Sequence, residues 1–140
     1  MAGYRVLQDD PRRAHLEFFR RHPDPFYSLT FELDATRVRA RATQLGASTY
    51  AALVWTYHRA LSGIDAFRTR LLGEEVVLYD RLRVGMTVPA PRGTFTFATP
   101  EWEENAESFL SGARRTMSAA SAGVGHGRAP GGGAPVRGPG

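Results

Sequence analysis

Histidine is the side chain whose ordinary pKa suits it to move protons near neutral pH, and this 140-residue chain has four: His15, His22, His58 and His126. None stands in a setting that reads as catalytic. His15 falls on an apparent helix, His22 directly precedes Pro23, His58 lies in an apolar helical run, and His126 stands between Gly125 and Gly127, so each reads as structural or solvated. Cysteine is absent, which excludes disulfides, thiolate metal sites and a thiol nucleophile. All eighteen basic residues are arginine, and without lysine the chain has no P-loop lysine, no Schiff base and no Ser-Lys dyad. No metal site is expected.

The formal net charge is +4, and Arg128 and Arg137 near the C-terminus supply half of it. Arg12, Arg13, Arg20, Arg21, Arg37, Arg39 and Arg41 make the first third locally basic, but they alternate with apolar positions of apparent helices. They read as solvated helix faces, not as a phosphate-binding stripe, and no nucleic-acid partner is expected. No apolar run reaches the roughly 18 residues that span a bilayer, and the first ten residues lack the apolar stretch of a secretory signal. A cytoplasmic protein without membrane contact is the expectation.

The elements that must hold any site follow an α/β alternation. Asp10 and Pro11 form an N-cap and N1 pair, and Leu16 and Phe19 fall at helical spacing until His22-Pro23 forces the chain out, which predicts a first helix to about Arg21. From Phe26 to Leu33 the residues Tyr27, Leu29, Phe31 and Leu33 share one face, which predicts a strand with one buried side. Asp34 caps a helix that turns Val38, Ala42 and Leu45 inward and stops at Gly46. Ser48 begins a third helix, Thr49 to Leu61, whose lack of a wide polar face predicts that it lies largely buried, across a sheet.

Phe67 to Leu72 and Glu75 to Tyr79 read as a hairpin turned at Gly73. Leu82 to Val88 and Thr94 to Phe97 read as further strands. Thr99 and Pro100, followed by Glu101, Glu103 and Glu104, predict the start of a last helix with Trp102, Ala106, Phe109, Leu110 and Ala113 inward. Eight glycines and three prolines crowd the stretch from Gly123 to Gly140. That composition predicts disorder, because too little apolar surface is present to offset the entropy of ordering.

In this order the segments resemble the chloramphenicol acetyltransferase family. Arg12-Arg13-Ala14-His15-Leu16-Glu17-Phe18-Phe19 is similar to the family's early Arg-Lys-x-His-Phe-Glu-x-Phe helix, and Phe26-Tyr27-Ser28-Leu29-Thr30 to its first substrate-lining strand. Tyr50 to Arg68 resembles the buried helix and its Glu-Phe-Arg exit. Tyr79-Asp80, Thr87-Val88 and Thr94-Phe95-Thr96-Phe97 follow at matching places. Asp10 stands where the family commonly has tryptophan, and Pro89 where it has phenylalanine. The family's His-His-x-x-x-Asp-Gly signature, whose second histidine is the general base, does not occur in these 140 residues.

The resemblance implies an α/β fold, an α+β two-layer sandwich of helices on a mixed sheet, over residues 1–122, with 123–140 as a disordered Gly/Pro/Arg-rich tail. It implies acetyl transfer from acetyl-CoA, a co-substrate and not a bound cofactor, to a hydroxyl of chloramphenicol or a similar antibiotic. It further implies a trimer with sites between subunits. Tyr27, Leu29, Phe31, Phe95 and Phe97 are the positions assigned to the acceptor-binding wall, with an ordinary sheet core as the competing reading. Arg12 corresponds to an arginine that pairs with the aspartate of the signature, so it is expected here without a partner. The tail reads as the product of a frameshift or truncation in a GC-rich gene, or else as a linker. Two functional classes follow: a catalytically incomplete enzyme fragment, or a non-catalytic protein that binds a ligand or joins the subunits of a complete homologue.

Overall fold

The computed structural model describes residues 3–123. The expected disorder concerns a stretch that, apart from Gly123, lies outside the described residues. Those described contain helices and small antiparallel sheets, an α+β arrangement, and divide into two compact units. None of their helices is long and apolar enough to cross a membrane.

The first unit takes the residues up to Ala35 and Leu61–Leu82. Its sheet has the order β1-β3-β2, with β1 at Tyr4–Val6, β2 at Thr69–Leu72 and β3 at Glu75–Tyr79. β2 and β3 form the expected hairpin, in register Leu72 to Glu75, and Gly73 at φ 63° provides the left-handed turn residue that its lack of a Cβ permits. Only the middle strand is covered: Val76, Val77 and Leu78 are the buried apolar residues of this unit. Helix α1, Arg13–Phe19, is shorter than expected, because Asp10 and Pro11 shape a turn before it. The short helix α4, Asp65–Arg68, leads into β2, so Phe67 and Arg68 belong to a helical turn and not to the hairpin.

The expected strand from Phe26 to Leu33 is corrected: the segment forms no strand. Alternating side chains prepare a strand, but its backbone N–H and C=O groups need a neighbouring strand to pair with. None of the described strands pairs with it.

The second unit takes Thr36–Ala60 and the described residues from Arg83 onward. Helix α2 spans Thr36–Gln44 and buries Ala42, with Gly46 at φ 56° in the left-handed conformation past its end. Helix α3 spans Thr49–Ser62, and the Ser48 hydroxyl oxygen accepts from the Ala51 amide at 3.0 Å. β4, Met86–Ala90, pairs antiparallel with β5, Thr94–Ala98. Helix α5, Ala106–Ser121, lies against both strands. It begins later than Thr99-Pro100 because Asn105 is the working cap: its side-chain oxygen accepts from the Ser108 amide at 3.0 Å.

Phe109, Met86, Val88 and Ala113 sit at the centre of this unit's core, joined by Ala42, Ala51, Ala52, Val84, Ala98, Leu110 and Ala120. The expectation of a largely buried α3 is corrected. Only Ala51 and Ala52 are buried, while Tyr50 and Tyr57 are exposed, because within this unit the core meets one side of the helix. The strand pairs described are all antiparallel, so the mixed sheet implied by the resemblance is not formed by these residues.

Candidate functional site

Arg12 has a partner, which corrects the expectation that it stands alone. One carboxylate oxygen of Asp10 accepts from the Arg12 backbone amide at 2.8 Å and from Nε at 3.0 Å, and the other accepts from Nη2 at 2.8 Å. The chain brings them together locally, since Pro11 fixes φ between them and folds residue 12 back over residue 10. The Asp10 side chain is only 6% exposed while that of Arg12 is 51% exposed. The side-chain hydrogen bonds from Arg12, then its backbone amide, hold the Asp10 carboxyl at a pKa of about 2, well below its ordinary 3.8. The same contacts raise the pKa of Arg12. The sequence marked Asp10 only as a helix cap; its pairing with Arg12 depends on the turn at Pro11.

Tyr27, Leu29 and Phe31 lie in the unpaired segment of the first unit, exposed to 86%, 75% and 67%. Phe26 and Leu33 beside them are exposed as well. These residues therefore form neither a sheet core nor a closed pocket wall within their unit. Phe95 and Phe97 lie on β5 of the second unit, with ring centroids 5.7 Å apart and planes nearly perpendicular, an edge-to-face pair. Phe95 is exposed and Phe97 half-buried.

The histidines occupy unlike surroundings. His15 lines a cleft of the first unit. His22 lies edge-on to Phe18 at 4.8 Å. His58 lies against Trp102 at 4.0 Å, and His126 is outside the described residues. Among the described residues no cluster of histidine, aspartate or glutamate could hold a metal ion.

An aromatic group on α3 was not anticipated. Trp55 stacks on Trp102 with centroids 6.2 Å apart, its indole N–H donates to the Glu103 carbonyl at 3.1 Å, and the Arg59 guanidinium lies 5.2 Å over its ring. Trp55, His58 and Arg59 are spaced at i, i+3 and i+4, the helical spacing that places them on one face. Trp102 also meets Phe109 at 5.5 Å, so the group extends into the core.

Comparison with known proteins adds the following. The chloramphenicol acetyltransferase family matches residues 6–126. A solved structure described as a chloramphenicol acetyltransferase is 25% identical and superposes with a TM-score of 0.69, over 85% of this chain and 60% of its own length. The chain therefore spans about 60% of that relative. No curated protein matches it.

Proposed function

The chain belongs to the chloramphenicol acetyltransferase family, and from that premise we propose that these residues supply part of the acceptor wall of an acetyl-CoA-dependent O-acyltransferase, without the base that drives the reaction. In that reaction the acceptor hydroxyl oxygen attacks the thioester carbon of acetyl-CoA. The carbon–sulfur bond breaks, and the CoA thiol leaves as the base takes the hydroxyl proton and passes it on. The acceptor is chloramphenicol or an antibiotic of similar build, and the setting is the cytoplasm.

One observation carries this reading. Tyr27, Leu29 and Phe31 present their side chains to solvent, within the span matched to the family. Rings and a branched aliphatic chain on an exposed segment suit a flat aromatic acceptor once a facing surface closes over them. Phe95 and Phe97, on β5 of the second unit, offer an edge-to-face aromatic pair of the same chemical kind.

The same exposure favours a second role, association with a complete homologue within the family's trimer. An apolar segment with no paired strand gains most when a partner covers it. The chain alone is expected to be inactive, because a positioned general base contributes about 10² to 10⁴ in rate.

Thiol release from acetyl-CoA in the presence of chloramphenicol is the test of the catalytic part. Release above the level without protein refutes it. Binding of chloramphenicol to the intact chain and to Phe31→Ser tests the wall, and equal affinities remove Phe31 from it.

A further inference from the structure

A cleft that Pro25 borders, next to the segment assigned to the acceptor, has a chemistry of its own. It lies wholly within the first unit, between α1, the start of β2 and the edge of β3, and has a volume of about 360 Å³. That is within the range of small-molecule sites, about 300 to 1,000 Å³. Leu16, Phe19 and Val76 contribute apolar lining, while Arg13, His15 and Arg70 bring cationic or proton-carrying groups to it. We propose that this cleft binds a small organic monocarboxylate whose body is an aromatic ring or a short aliphatic chain.

The charges favour an anion. Asp10 is the acidic residue of the lining, and its two oxygens already accept three hydrogen bonds from Arg12. It therefore compensates Arg12 and leaves Arg13 and Arg70 as the lining cations that no carboxylate of the described residues pairs with directly. Glu74, whose carboxylate also feels the charge of Arg13, is held by both terminal nitrogens of Arg20 at 2.8 Å. Among the described residues no carboxylate lies in hydrogen-bonding or ion-pair contact with Arg13.

Arg70 is also fixed in place. One terminal nitrogen donates to the carbonyls of Phe67 and Thr69, each at 2.7 Å, so its fork is oriented before a ligand arrives. A guanidinium held in this way loses less freedom on pairing with a carboxylate. The apolar lining then selects against the bare anion: phosphate or acetate would meet the arginines but leave Leu16 and Phe19 in water. This assignment is independent of acyl transfer.

The probe is 3-phenylpropionate, with neutral 3-phenylpropionamide and inorganic phosphate as comparisons, followed by ligand-observed NMR on the intact chain. The carboxylate is expected to bind at least about tenfold more tightly than the amide, the scale of a lost charge-assisted pair. Phosphate at equal ionic strength should displace it poorly. Arg13→Gln combined with Arg70→Gln should bring the carboxylate down to the affinity of the amide. Leu71→Asp, at a half-exposed lining position of β2, should abolish binding by placing a fixed negative charge in the cleft. Circular dichroism establishes that each variant keeps its fold. No carboxylate binding, equal affinity for carboxylate and amide, or undiminished binding by both variants overturns the proposal.

Discussion

Phe109→Ala and Phe31→Ala remove the same side chain from opposite environments. Phe109 is 0% exposed at the centre of the second unit, whereas Phe31 is 67% exposed in the unpaired segment of the first. Truncating a buried phenylalanine costs about 3–5 kcal/mol, since the transfer energy of the ring is lost and a cavity remains. Phe31 buries about a third of its surface. With full burial of such a side chain at about 1.5–3 kcal/mol, its loss costs about 0.5–1 kcal/mol. For a urea dependence of about 1.5 kcal/mol per molar, the midpoint should fall by roughly 2–3 M for Phe109→Ala and by less than about 0.7 M for Phe31→Ala. Since domains hold only about 5–15 kcal/mol in total, the first variant should lose a large share of its stability. Urea titration followed by far-ultraviolet circular dichroism reads both variants. Fluorescence adds a local probe, because Trp102 lies 5.5 Å from Phe109. Equal midpoint shifts would refute the reasoning, for they would mean that the Phe31 segment is packed as tightly as the core.

Two further outcomes follow from single residues. Arg92 has φ 64° and ψ 28° and precedes Gly93 at φ 70°, two left-handed residues in the turn between β4 and β5. Asparagine tolerates that conformation better, so Arg92→Asn should raise stability by about 1 kcal/mol, and an unchanged melting midpoint would show that the turn carries no strain. Asp10 titrates at about 2 when folded, below its ordinary 3.8, so its pairing stabilises above about pH 4 and the contribution is lost as pH falls toward 2. Asp10→Asn should therefore melt lower than the parent at neutral pH and converge with it near pH 2, and a constant difference across that range would show that the carboxylate charge is not what matters.

Local signals were legible in the sequence. Gly46 and Gly73 adopt the left-handed turns their positions suggested, Ser48 caps α3, and Phe109, Leu110 and Ala113 face the core as their helical spacing required. These features depend on residues within one turn of helix or one hairpin. The errors share the opposite character. Tyr4–Val6 is too short to show a period, and it is a strand only because Tyr4, Arg5 and Val6 pair with Tyr79, Leu78 and Val77 far along the chain. Phe26–Leu33 shows a clear period but lacks the pairing partner that a period cannot reveal. α3 is apolar nearly all round, yet the amount of covering surface is a property of other segments. Of the candidate site, the identities of the exposed aromatics were readable, whereas the engagement of Arg12 by Asp10 required the turn geometry at Pro11.

The placement of aromatic residues explains why association belongs with the functional reading. Of the eight phenylalanines only Phe109 is fully buried, while Phe26, Phe31 and Phe95 stand mostly in solvent. Much of the second unit's core is alanine instead: Ala42, Ala51, Ala52, Ala98, Ala113 and Ala120. Buried alanines exclude water but return little free energy each, because burial scales with apolar area at about 25 cal/mol per Å². A phenylalanine offers several times that area, and here most of it remains available. The stabilisation still to be gained therefore lies outside the described contacts, concentrated at Phe26–Leu33, where the backbone too lacks a strand partner. A surface that pairs this segment and covers Tyr27, Leu29 and Phe31 would satisfy the backbone and the rings in one step. An acceptor molecule alone could cover the rings but would leave the strand-forming N–H and C=O groups in water. Backbone pairing thus gives a protein partner an advantage at this segment that a small ligand cannot supply.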